Sequence, residues 1–323
     1  MTVDVVDLAR RIAAGERRAL AQGITLVESH RDDDQRDAAR LLELVAARTG
    51  GAIRVGLSGT PGVGKSTFIE ALGSRLLASG NKVAVLAIDP SSPTTGGSIL
   101  GDKTRMEMLA TNAAAFVRPS PSGGALGGVA SKTREALLLC EAAGYDVVIV
   151  ETVGTGQNEH AVSAVTDTFV LLVAPGGGDD LQGQKRGVLE LVDVVVVHKA
   201  DGPRGDEAQK TAQYYRVAGH LLHHGRAWQP PVVCASSLER AGLDDVWAQV
   251  LAHRAATAST RAQRRAAQAE RWLWLCVESE LLARFKTAAS VQAALPAVID
   301  DVRAERVSPG RAAQRLVDAL LRR

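Results

Sequence analysis

The stretch GTPGVGKST at residues 59–67 constrains this chain more than any other. It fits the spacing G-x-x-x-x-G-K-[ST] through Gly59, Gly64, Lys65 and Ser66. It also stands between an apolar, strand-like run, AIRVGLS (52–58), and a helix-forming run that begins at Lys65. That context is what the pattern requires to act as a phosphate-binding turn. The glycines let Thr60, Pro61, Gly62 and Val63 wrap so that backbone N–H groups face inward, and the helix N-terminus adds a dipole favourable to anions. The spacing predicts Lys65 near the β- and γ-phosphates, the Ser66 hydroxyl on Mg²⁺, and Thr67 in the first helical turn.

A phosphate turn of this kind needs a parallel sheet behind it. The runs KVAVLAID (82–89), AAFVRPS (114–120), DVVIVE (146–151), TFVLLVAP (168–175), VDVVVVHK (192–199) and PPVVCAS (230–236) read as further strands. They alternate with helical stretches such as KTREALLLCEAAG (132–144). This order predicts an α/β fold with a mostly parallel sheet covered on both faces. Aromatic residues are only 3% of the chain and hydrophobic residues 46%, so the core must be built of Val, Leu, Ile and Ala. Residues 1–50 read as a helical extension, 51–242 as the nucleotide-binding domain, and 243–323 as a second, Ala- and Arg-rich helical extension suited to dimerisation.

Ligands of open parallel sheets bind beyond the carboxyl ends of the strands. Two strands end there in an acid, Asp89 and Glu151. Both offer Mg²⁺ the hard oxygen donors it prefers, and both could instead cap the segments that follow. Asp102 lies in the glycine-rich TTGGSILGDKTRM, whose composition suits a loop that responds to nucleotide state. The tetrapeptide His198-Lys199-Ala200-Asp201 ends another strand. It matches the guanine reader N-K-x-D except at its first residue. The aspartate accepts hydrogen bonds from the guanine ring N–H and exocyclic amine. Beside adenine it would be desolvated and unpaired, at a cost of roughly 1–3 kcal/mol. Neutral histidine has one donor and one acceptor, so it can take over part of the asparagine's role. Ala235, Ser236 and Ser237 follow the last strand, where backbone N–H groups can meet guanine O6.

These motifs together resemble the methylmalonyl-CoA mutase-associated GTPases, the MeaB/ArgK family of P-loop GTPases, relatives of the nickel-chaperone GTPases. The resemblance rests on GTPGVGKST, IDPSSPTTGGSILGDKTRM (88–106), ETVGTGQNE (151–159), PGGGDDLQGQKRG (175–187) and HKAD. It implies a first switch at 89–105 with Asp89 and Asp102 near the metal. A second would span Glu151 to Glu159, with Glu151 coordinating or orienting Mg²⁺ and Gly154 near the γ-phosphate. A third, at 176–187, would face the partner mutase and the dimer mate, with Gln182 and Lys185 tied to GTPase activation. It further implies a homodimer that hydrolyses GTP to gate adenosylcobalamin delivery to, or repair of, an acyl-CoA mutase. His198 is the departure from the pattern.

The remaining features carry less chemistry. Basic and acidic residues nearly balance, 38 against 36, which gives no field for nucleic acid or membrane. Three scattered cysteines suit a reducing compartment, and the charged N-terminus has no apolar signal core, so a soluble cytoplasmic protein is expected. Cys140 reads as core. His220, His223 and His224 read as a solvated helix end rather than a metal site. The basic stretch 254–271 lacks interleaved aromatics, and Trp272 and Trp274 read as packing or dimer anchors. The competing functions are an ATP-using kinase or ATPase, a nickel-type metallochaperone GTPase, and a non-catalytic nucleotide-dependent binding protein.

Overall fold

The computed structural model describes residues 4–29, 31–89, 106–121, 126–152, 159–176, 186–222, 225 and 227–321. Of residues 88, 89, 120, 121, 126–131, 186 and 279 only the backbone is described. The chain divides into two compact units, Met1–Gln268 and Ala269–Arg323.

The first unit is built on seven strands. They are β1 (Ile53–Gly59), β2 (Val83–Asp89), β3 (Ala115–Pro121), β4 (Val147–Glu151), β5 (Thr168–Val173), β6 (Val194–His198) and β7 (Val232–Ala235). Their order across the sheet is β3-β2-β4-β1-β5-β6-β7, and every pairing is parallel. The apolar runs forecast all seven. Parallel strands buried on both faces need no polar alternation, and β4, β5 and β6 are buried at every residue.

Successive residues still serve opposite faces. Ala84 and Leu86 of β2 join one core, and Val83 and Val85 join the other. The first core is covered by α1 (Val5–Ala13), α2 (Arg17–Glu28), α3 (Asp32–Val45), α6 (Leu126–Ala142) and α9 (Gly205–Leu222). Ile12, Leu20, Ile24, Leu41 and Leu137 fill it. The amino-terminal helices are therefore three of the five long helices that cover the sheet on this side. The second core is covered by α4 (Lys65–Ala78), α5 (Glu107–Thr111) and α10 (Leu243–Ala256) through Phe68, Ile69, Leu72, Leu109, Val246 and Val250. Each such side chain contributes roughly 1.5–3 kcal/mol on burial. Two short helices, α7 (Glu159–Ser163) and α8 (Arg186–Leu189), complete the crossovers.

Helix α11 (Arg261–Thr287) begins in the first unit and ends in the second. The second unit continues with α12 (Ala289–Arg303) and α13 (Pro309–Leu321). Within it, Asp301 pairs with Arg306 and Arg315. Val291 and Ala312 are its buried apolar residues, while Leu273, Trp274, Leu281 and Leu282 are exposed.

Candidate functional site

The site lies at the carboxyl end of β1. Gly62 and Gly64 both adopt left-handed backbone, with φ of 81° and 96°. A Cβ on Gly59 would fall 2.5 Å from the Leu172 carbonyl oxygen of the neighbouring β5, so the turn needs glycine there for close approach. Gly64 is the cap of α4, and its carbonyl accepts from Phe68 N–H. The turn thus delivers its N–H groups to the helix N-terminus, as an anion site requires.

Lys65 is buried. Its ammonium donates to the carbonyls of Gly59 at 2.8 Å and Thr60 at 3.2 Å. Burial lowers its pKa, and the carboxylates of Glu151 and Glu159 oppose that shift. A phosphate chain beside it would act in the same direction as those acids and hold the lysine charged.

Glu151 ends β4 in register with Leu57 of β1 and Ala87 of β2. Its Oε1 accepts from the Ser66 hydroxyl at 3.3 Å. A hydroxyl and a carboxylate meeting at the phosphate end of the sheet form a hard-oxygen donor set, which fits Mg²⁺. Behind it, Thr152 donates to Ser58 at 2.9 Å and Ser58 donates to buried Glu159 at 3.3 Å. Thr152 and Glu159 lie within ETVGTGQNE, whereas no motif announces Ser58, an ordinary strand-end residue. Asp89 ends β2 as forecast, though its side chain lies outside the described residues. Asp102, Gly154, Gln182 and Lys185 also lie outside them, as do His223 and His224. His220 stands in the last turn of α9, and Cys140 is fully buried.

The HKAD tetrapeptide folds onto the phosphate turn. Lys199 is a non-glycine residue with φ of 63°, a conformation costing on the order of 1 kcal/mol. It lets the lysine stem reach back so that Nζ donates to the Gly62 carbonyl at 2.7 Å. Ala200 N–H bonds the Ala235 carbonyl, tying the tetrapeptide to the end of β7. Asp201 Oδ2 accepts from the Ser236 hydroxyl at 2.6 Å, which fixes the carboxylate's orientation. Ser236 in turn pairs with Ala241 through two backbone bonds of 3.0 Å.

Buried His198 bonds Val63 and Ser237, each at 2.7 Å. Burial pushes its pKa down and favours the neutral ring. A cavity of 220 Å³ is lined by Gly64, Thr67, His198, Lys199, Asp201, Arg204, Ser237 and Leu238. Thr67 and Asp201 therefore share a pocket with the phosphate turn, and Arg204 is a lining residue that the motif did not single out.

The family model described as methylmalonyl-CoA mutase-associated GTPase MeaB matches residues 20–290. The chain belongs to the MeaB family. Among its relatives is GTPase ArgK of Escherichia coli, 50% identical over 276 residues that cover 84% of this chain and 83% of that protein. The mitochondrial methylmalonic aciduria type A homolog of Mus musculus is 42% identical, over 95% of this chain and 77% of its own length. A crystal structure titled LAO/AO transport system kinase superposes with a TM-score of 0.76 at 35% identity, over 99% of both chains. This MeaB-family protein is a GTPase, and its site combines the phosphate turn with the guanine-type tetrapeptide. Among the described residues no helix is long and apolar enough to cross a membrane.

Proposed function

We propose that this GTPase binds Mg·GTP at the carboxyl end of β1 and uses its hydrolysis to time a cobalamin enzyme. The partner is methylmalonyl-CoA mutase or a related acyl-CoA mutase, and the step gated is loading, protection or repair of its adenosylcobalamin. One placement carries this reading. Strands β2, β4 and β5 run parallel to β1 and end on the same side of the sheet as the phosphate turn, and β4 and β5 flank β1 directly. In this reading the chain that follows those strands responds to the γ-phosphate and passes its state to a partner.

In this reading the turn's N–H groups and Lys65 hold the phosphates. Ser66 and Glu151 hold the metal together with Asp89 and Asp102. When bound, Mg²⁺ neutralises charge on the phosphate oxygens. Glu159, through Ser58 and Thr152, supports the layer beneath. Gln182 and Lys185 act in activation, the lysine offsetting charge that develops on the transferred group. Lys199 and Asp201 seat the guanine, with Ala235, Ser236 and Ser237 at its O6 edge.

The working form is a cytoplasmic homodimer joined through the carboxyl-terminal helices. Trp274 and Leu281 are exposed and lie seven residues apart on one helix, so they share a face suited to a mate. A binding assay tests the proposal. Full-length protein loaded with GDP or a non-hydrolysable GTP analogue is titrated onto the mutase. The reading predicts an affinity that differs between the two states, and GTP turnover that rises with the mutase. Absence of binding in both states would overturn it.

A further inference from the structure

His198 takes the place that asparagine holds in N-K-x-D. A purine N7 is a hydrogen-bond acceptor, so only a donor can read it. The Val63 carbonyl can only accept, so the ring's Nδ1 must carry the proton and donate to it at 2.7 Å. On a neutral ring Nε2 is then an acceptor, and it takes the Ser237 hydroxyl proton at 2.7 Å. The single donor of the ring is thus spent on the phosphate turn.

The ring is also wedged. A Cβ on Gly64 would fall 2.8 Å from its Cε1, and Phe68 meets it edge-on with centroids 5.6 Å apart. Burial favours the neutral form that this tautomer needs. Asparagine in the same place would carry two amide protons and could serve both the turn and a base.

We propose that His198 is a positioning residue that braces the phosphate turn against the Ser236–Ser237 turn, and that it makes no contact with the purine N7. Guanine selection in this chain then rests on Asp201 and the backbone around Ser236. The proposal rests on the reading of the cavity beside Asp201 as the base pocket.

The test is a titration of the full chain with GDP and with 7-deaza-GDP, which lacks the N7 acceptor. The wild type should bind the two within about twofold of each other. His198→Ala should weaken both equally, by about tenfold, because a brace is lost rather than a base contact. His198→Asn should recover most of that loss, since its amide can donate to Val63. Ser237→Ala added to His198→Ala should weaken binding little further, because both act through one brace.

Three results would overturn it. One is a 7-deaza penalty of about tenfold in the wild type that vanishes in His198→Ala. Another is a His198→Ala variant with unchanged GDP affinity. The third is unchanged GDP affinity in Asp201→Asn, which would remove the base-pocket reading itself. The first two outcomes with an effective Asp201→Asn remove only the role of His198.

Discussion

The two ends of the sheet solve different problems. At the amino-terminal end, long side chains tie elements together in closed pairs. Arg54 of β1 donates twice to Glu141 of α6, at 2.8 Å each, and both are buried. The same carboxylate accepts Gly50 N–H at 2.7 Å. Arg265 of α11 grips Asp167 and the carbonyls of Gly50 and Ala52. Buried His253 of α10 bonds Thr168 at 2.8 Å and faces Asp193, whose carbonyl accepts the Trp228 indole N–H. At the carboxyl end, pairs such as Ser66–Glu151 and Ser236–Asp201 stand beside side-chain bonds to the carbonyls of the phosphate turn: Lys65 to Gly59 and Thr60, Lys199 to Gly62, His198 to Val63. These bonds set the shape of a turn. The amino end holds helices to the sheet, and the carboxyl end holds a pocket open for a nucleotide. Substitutions at the two ends should therefore separate stability from activity.

The largest effect is expected at the amino end. Glu141→Ala leaves Arg54 buried without its charge partner, a loss on the order of 3–5 kcal/mol. Urea unfolding should show it as a fall in midpoint. The GDP affinity of the protein that remains folded should stay unchanged, and a matching loss of affinity would break the division. Lys65→Ala should do the reverse. Phosphate release should slow by about 100-fold or more, with the urea midpoint nearly kept. A collapse of stability there would mean that the turn is also a structural tie.

A smaller effect is expected with pH. Burial holds His253 below the ordinary histidine pKa of 6.5, against the pull of Asp193. Its neutral form is therefore favoured by the fold. That contribution is fully present above 6.5 and is lost as pH falls toward the depressed value, because the unfolded chain binds the proton first. His198 carries the same sign. Each ring can cost at most about 1.4 kcal/mol per pH unit. Melting temperature should fall on acidification from neutral pH to about 5.5, and His253→Gln should flatten that slope. A melting temperature that rises over this range would contradict the neutral assignment.

The two ends also differed in how openly the sequence declared them. The carboxyl end announces itself, because phosphate turns and base readers demand particular residues at fixed spacing. Gly64, Lys65, Ser66 and Glu151 meet in the structure, and HKAD folds onto the same turn. The amino end is built from pairs distant in sequence, which no spacing reveals. Its one visible hint was Arg54, a charge inside the apolar run AIRVGLS that must find a partner when buried. Helix α6 starts at Leu126, ahead of the stretch 132–144 that its apolar residues marked, because LGGVAS reads as a loop. The helix 243–256 follows the last strand in sequence, yet Leu243, Val246 and Val250 bury themselves against the sheet at helical spacing. The first compact unit accordingly runs to Gln268. The bonds of His198 to Val63 and Ser237 had no sequence signal beyond the altered motif itself.

The claim that the carboxyl end is a working guanine pocket can be tested by one calorimetric experiment. Mg·GDP and Mg·ADP are titrated into the wild type and into Asp201→Asn. The account predicts a clear preference for GDP in the wild type, reduced by about tenfold or more in the variant as the carboxylate's charge is lost. Equal affinity for the two nucleotides, or a preference for ADP, would contradict it.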